Sequence, residues 1–68
     1  MPFVSVRLAG AVTKEQKQRV IEEMTDVLVR VLDKNPATTM VVIEELDTDN
    51  WGIGGETVTV RRAKAAAK

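Results

Sequence analysis

The sequence predicts a small α/β (α+β) domain, one βαβ unit with a C-terminal β-hairpin, and three observations predict it. Apolar residues alternate over 3–9, with Val4, Val6 and Leu8 set against Ser5 and Arg7, the period of a strand. A long apolar stripe at helical spacing follows through Val20, Ile21, Met24, Val27, Leu28, Val31 and Leu32. A second β-branched run, Thr38–Ile43, comes after the stripe. Strand, long helix, strand implies parallel strands joined by a right-handed crossover.

Each element carries its own boundary signals. Gly10 breaks the first strand, and Thr13-Lys14-Glu15-Gln16 has the form of a capping box, with Thr13 serving the first turn and Gln16 reaching back. Lys14, Glu15, Gln18, Arg19, Glu22, Asp26 and Arg30 cover the polar side of the helix. Among them Glu15–Arg19 and Asp26–Arg30 are spaced as favourable ion pairs. Asn35-Pro36 is expected to end the helix, because the residue before a proline avoids the helical region. Asp47-Thr48-Asp49-Asn50 reads as a turn. Gly52, Gly54 and Gly55, set around Ile53 and preceded by Trp51, suit a tight hairpin. Thr57-Val58-Thr59-Val60 is expected as a short alternating strand, and the domain as residues 1–62. Residues 63–68 then form a flexible basic tail.

The second strand is apolar on both sides: Met40 and Val42 point one way, Val41 and Ile43 the other. One helix covers one sheet face only. The uncovered face predicts a homo-oligomer.

Composition narrows the chemistry. A chain of 68 residues makes one small domain, which buries only about 60% of its unfolded surface. It contains no cysteine, histidine or tyrosine. Thiolate zinc sites, disulfides and every Ser/His or Cys/His nucleophile are thereby excluded. Ten basic and ten acidic residues balance, which speaks against a nucleic-acid partner. No apolar run approaches the roughly 20 residues of a membrane span, and no signal-peptide core is present, so the expected compartment is the cytoplasm. The acidic group Glu44, Glu45, Asp47 and Asp49 lacks the spacing of a calcium loop and suits Asx-type turn bonding instead, so no metal is expected. The glycines do not lead from a strand into a helix, so no phosphate-bearing cofactor is expected either.

Pro2 is the most informative residue. A methionine before proline is normally removed, which would leave Pro2 with a free secondary amine. A desolvated or cationic setting lowers the pKa of such an amine until it can accept a proton at neutral pH. It could also attack a carbonyl to form an iminium. Set against this, a proline opening an edge strand is structurally ordinary.

Pro2, the helix carrying Glu15-Gln16-Lys17, the apolar second strand and the Trp51-Gly52-Ile53-Gly54-Gly55-Glu56 hairpin occur in that order. Together they resemble the short-chain tautomerases of the 4-oxalocrotonate tautomerase (2-hydroxymuconate tautomerase) family, from Pro2 to about Arg62. The resemblance implies that Pro2 is a general base moving a proton between the ends of a small enol acid. It implies subunits paired into four-stranded sheets flanked by helices, then assembled into hexamers, with the hairpin reaching a neighbour. By position, Trp51 matches the aromatic that walls the pocket, and Leu8 and Ile53 match apolar lining positions. The two arginines that hold substrate carboxylates in the best-known members fall here on Val12 and on Met40 or Val41. Arg7, Arg61 and Arg62 are the cations available to replace them for a small carboxylate substrate. Two alternatives stand beside this reading. One is a hydratase or dehalogenase of an unsaturated acid, with Glu45 or Asp49 activating water; the other is a non-catalytic assembly module of the same fold.

Overall fold

The computed structural model describes residues 1–66. Strand β1 (Phe3–Ala9) pairs in parallel with β2 (Met40–Leu46), in register from Phe3 opposite Met40 to Ala9 opposite Leu46. Helix α1 (Lys14–Leu32) connects them. The predicted βαβ unit is therefore present.

The start of α1 forms as its sequence requires. Thr13 Oγ1 accepts from the Gln16 amide at 3.1 Å, and Gln16 Oε1 accepts from the Thr13 amide at 2.9 Å. Its end differs from expectation. The helix stops at Leu32, because Asp33 enters the left-handed region (φ 54°) and donates its amide to the Leu28 and Val29 carbonyls. Asn35 and Pro36 belong to the next feature, a 3-10 turn over Pro36–Thr38 in which the Asn35 side chain accepts from the Ala37 amide. That turn holds Thr38 out of the sheet, so β2 begins at Met40 rather than Thr38. It runs beyond Ile43 to Leu46 because both glutamates find cations: Glu44 meets Arg7 across the sheet at 3.5 Å, and Glu45 meets Lys17 of α1. On the helix surface Arg30 pairs with Asp26 as expected, whereas Arg19 pairs with Glu23 rather than Glu15.

After β2, Asp47 Oδ1 accepts from the Asp49 amide at 2.8 Å and opens a 3-10 turn over Thr48–Asn50. Strands β3 (Gly52–Ile53) and β4 (Glu56–Thr57) then pair antiparallel. Gly54 (φ 58°) and Gly55 (φ 87°) supply the two consecutive positive φ angles that a tight hairpin turn needs.

The expected strand over 57–60 is absent. The chain instead forms helix α2 (Val58–Ala66). Thr57 Oγ1 accepts from the Val60 amide at 3.1 Å, in the manner of an N-cap, and the Arg-, Lys- and Ala-rich stretch behind it has strong helix propensity. These local terms override the Thr/Val alternation. Residues 63–66 of the expected flexible tail thus lie in α2, and Lys64 is ion-paired with Glu56; residues 67–68 lie outside the described residues.

Packing is thin. Val4, Val6 and Leu8 of β1 and Val41 and Ile43 of β2 are half-buried towards α1, which presents Val20, Ile21, Leu28 and Val29. Val58 is the one buried hydrophobic residue among those described. The opposite sheet face leaves Phe3 63%, Met40 43% and Val42 42% exposed. The stripe of α1 is also wider than this sheet can cover, so Met24, Val27 and Val31 remain exposed. The radius of gyration is 15.8 Å, against about 11 Å for a compact chain of this length. No helix among the described residues is long and apolar enough to cross a membrane.

Candidate active site

Parallel pairing sorts the candidate residues onto two ends of the sheet. At one end stands Pro2, half-buried, its carbonyl accepting from the Met40 amide at 3.0 Å. Met40, which stands at one of the positions of the family's carboxylate-holding arginines and is a candidate substrate contact, is thus the one candidate that the chain itself brings to Pro2. With Met1 attached, the Pro2 nitrogen is an amide without basicity; only its release creates an amine.

At the other end lie Leu8, opposite Glu45 in register, and the Gly10 amide, bonded to the Leu46 carbonyl at 2.8 Å. Six residue rises along the strand separate Leu8 from Pro2, roughly 20 Å at the usual rise. The hairpin follows β2 at this same end. Trp51 is half-buried, its carbonyl accepting from the Val58 amide at 2.8 Å, and Ile53 is 47% exposed. The Arg62 guanidinium lies beside Gly10, with Nη1 3.9 Å from where a Cβ on that glycine would stand, and that of Arg61 lies beside Gly54 at 3.8 Å. Leu8, Trp51, Ile53, Arg61 and Arg62 therefore share one end of the molecule. The single chain does not bring them to its own Pro2. Arg7 points to the open sheet face and pairs with Glu44, away from both groups.

The carboxylates considered for water activation are also engaged or remote. Glu45 accepts from the Val12 amide at 3.0 Å and is ion-paired with Lys17; Asp49 sits in the turn after β2, at the end of the sheet away from Pro2. The Glu45 carboxyl is held below its ordinary pKa, first by the Lys17 hydrogen bond and then by that from Val12. Partial desolvation opposes them, and the Lys17 charge adds to the lowering.

This three-way contact between β2, the loop after β1 and α1 was not anticipated. The signal lay in the alternation, since Val41, Ile43 and Glu45 occupy the helix-facing side of β2 and a carboxylate there needs a partner. Beside it a groove of about 540 Å³ is lined by Leu8, Val12, Gln16, Lys17, Val20 and Ile43 among others.

Comparison with known proteins gives this arrangement a family. Residues 2–61 match the family model described as Tautomerase enzyme. A curated relative from Dickeya dadantii, "Probable tautomerase K2", is 57% identical over 67 residues, covering 97% of this chain and all of its own. The 2-hydroxymuconate tautomerase of Comamonas testosteroni is 36% identical over 55 residues, covering 81% of this chain and 87% of its own. Among solved structures, DmpI from Helicobacter pylori superposes with a TM-score of 0.82 at 44% identity, covering 87% of this chain and 98% of its own. The βαβ unit, the glycine hairpin and these matches together place the chain in the 4-oxalocrotonate tautomerase family of the tautomerase superfamily.

Proposed function

We propose that the protein is a proline-dependent tautomerase that moves a proton between oxygen and carbon of a small 2-oxo (2-hydroxydienoic) acid, with Pro2 as general base. The observation that carries the reading is positional: the family match begins on Pro2, and Pro2 heads strand β1 beside Met40. Release of Met1 leaves a secondary amine at that point. The amine takes the enol hydroxyl proton and returns one to the conjugated carbon, so no redox step is needed. Such a base works best with its pKa near the working pH, which calls for partial desolvation or a nearby cation.

The remaining parts of the site come, on this reading, from other subunits. Antiparallel pairing across an open strand edge sets the start of one strand beside the end of its partner. A neighbour would then bring Leu8, Trp51 and Ile53 towards Pro2, with Arg61 or Arg62 to hold the substrate carboxylate. Arg7, committed to Glu44, is the weaker candidate. The exposed faces described above favour a homo-oligomer; the hexamer and the cytoplasmic setting belong to the reading through the family resemblance. The hydratase or dehalogenase alternative gains no support, because Glu45 is tied to Lys17 and Val12.

The test is enol-to-ketone conversion of a simple 2-hydroxydienoate or phenylenolpyruvate. Processed protein, Pro2→Ala and a form retaining Met1 are compared, with mass spectrometry reporting the N-terminus. Loss of the base should slow the reaction by about 10²–10⁴-fold. Equal rates in all three would refute the role of Pro2, and no activity in any would favour the assembly module.

A further inference from the structure

The loop between β1 and α1 is held by three bonds from its own amides. Gly10 donates to Leu46, Val12 to Glu45 at 3.0 Å, and Thr13 to the Gln16 side chain at 2.9 Å. The middle bond is the only one that depends on a side chain of the sheet. Glu45 stands opposite Leu8 in register, and its second oxygen meets Lys17 in the first turns of α1. One carboxylate thus ties strand, loop and helix together at the point where Leu8 and Val12 form a wall of the groove. Its side chain is 26% exposed and that of Lys17 37%, so the pair keeps contact with water and holds the loop through its two directed bonds rather than through burial.

From this geometry we infer that Glu45, locked by Lys17, is a positioning residue for catalysis: it fixes the Val12 backbone so that Leu8 and Val12 present a rigid apolar wall to the substrate. The inference rests on the proposed tautomerase reading, in which this end of the sheet faces a neighbour's Pro2. Glu45 touches no reacting atom in this scheme. It acts through Val12, and its loss should loosen substrate binding and leave the proton transfer itself intact. A small displacement of a binding wall is felt in this way because productive geometry tolerates little error.

The experiment uses the assembled, Met1-processed protein and reads two quantities: hydrogen exchange of the Val12 amide, and KM and kcat for an enol substrate. Glu45→Ala should speed Val12 exchange by about tenfold or more and raise KM by a similar factor, with kcat within about twofold. Glu45→Gln keeps an acceptor for the amide but loses the charge, and Lys17→Met leaves the carboxylate unpaired; both should give few-fold changes in the same two quantities. These milder variants decide the matter if Glu45→Ala does not assemble. Val12 exchange unchanged in the variants overturns the inference, and so does faster exchange with KM unaltered. Pro2→Ala, measured alongside, should leave Val12 exchange as in the wild type. Full activity in Pro2→Ala would sink the proline reading, while Val12 exchange would still report on the Glu45 contact.

Discussion

A single charge placed on the open face of the sheet should dissociate the protein. Val42 is 42% exposed there, two residues along β2 from Met40 at 43%, which stands opposite Phe3 at 63%. At these exposures the three side chains offer on the order of 250–300 Å² of apolar surface, about 6–7 kcal/mol per subunit if fully covered. That figure is an upper bound, and Val42 accounts for about a quarter of it, roughly 1.5 kcal/mol. Val42→Asp forfeits this contribution and also strands an unpaired carboxylate in an apolar contact, which costs about 3 kcal/mol or more. The sum, about 4.5 kcal/mol or more per subunit, weakens association by more than about 10³-fold. Arg7 lies on the same face but is already paired with Glu44, so it offers little rescue. Sedimentation velocity at micromolar concentration should show an oligomer without substantial monomer for the wild type, and for Val42→Asp a species no larger than the edge-paired dimer. Val42→Ala, which removes methyl groups without adding charge, should remain assembled. A wild type that runs as a folded monomer, or a Val42→Asp variant that sediments like it, would refute the reasoning about the open face.

Trp51→Ala should raise the pKa that limits activity on the acid side and lower kcat/KM, because the indole would no longer keep water from the Pro2 amine; an unchanged pH–rate profile would remove Trp51 from the site. Glu45 has a folded pKa below its unfolded one, so the stability it contributes is present above the unfolded value and is lost as pH falls through the folded value. Glu45→Gln should therefore flatten the acid limb of the stability curve in urea titrations from pH 6 to about pH 3, and an identical limb would show that the ion pair contributes nothing. Thr13→Ala removes the acceptor for the Gln16 amide and should cost about 1 kcal/mol of stability by denaturant melting.

Long-range order was legible where hydrophobic period and capping chemistry agreed. The alternation of Val4, Val6 and Leu8, the Thr13–Gln16 box and the stripe of α1 all point to one arrangement, and the register from Phe3–Met40 to Ala9–Leu46 follows it. Boundaries were less legible, because they depend on single side chains. Asp33 in the left-handed region ends α1 before the proline is reached, and Thr57 converts an alternating tetrapeptide into the start of a helix. The partners of the helix stripe were only half readable: periodicity shows which residues share a face, but not which of them a two-stranded sheet is wide enough to cover. Met24, Val27 and Val31 therefore stay exposed, while Val29, outside the expected stripe, packs inward.

The candidate site was legible as a set of residues and illegible as a place. Pro2 and Met40 stand at one end of β1 and β2; Leu8 and the hairpin residues Trp51 and Ile53 follow from the other, about 20 Å along the strand. A parallel pair with a crossover helix cannot fold those ends together, because the rise of a strand is fixed and neither strand is broken by a bend. Either the residues do not share a site, or two chains build it. In the second case the contacts that complete the assembly, strand edge and open face together, also determine whether Pro2 has a wall, a shielded amine and a carboxylate anchor. Assembly and activity should then fail together in Val42→Asp, although Val42 is not among the residues assigned to the chemistry.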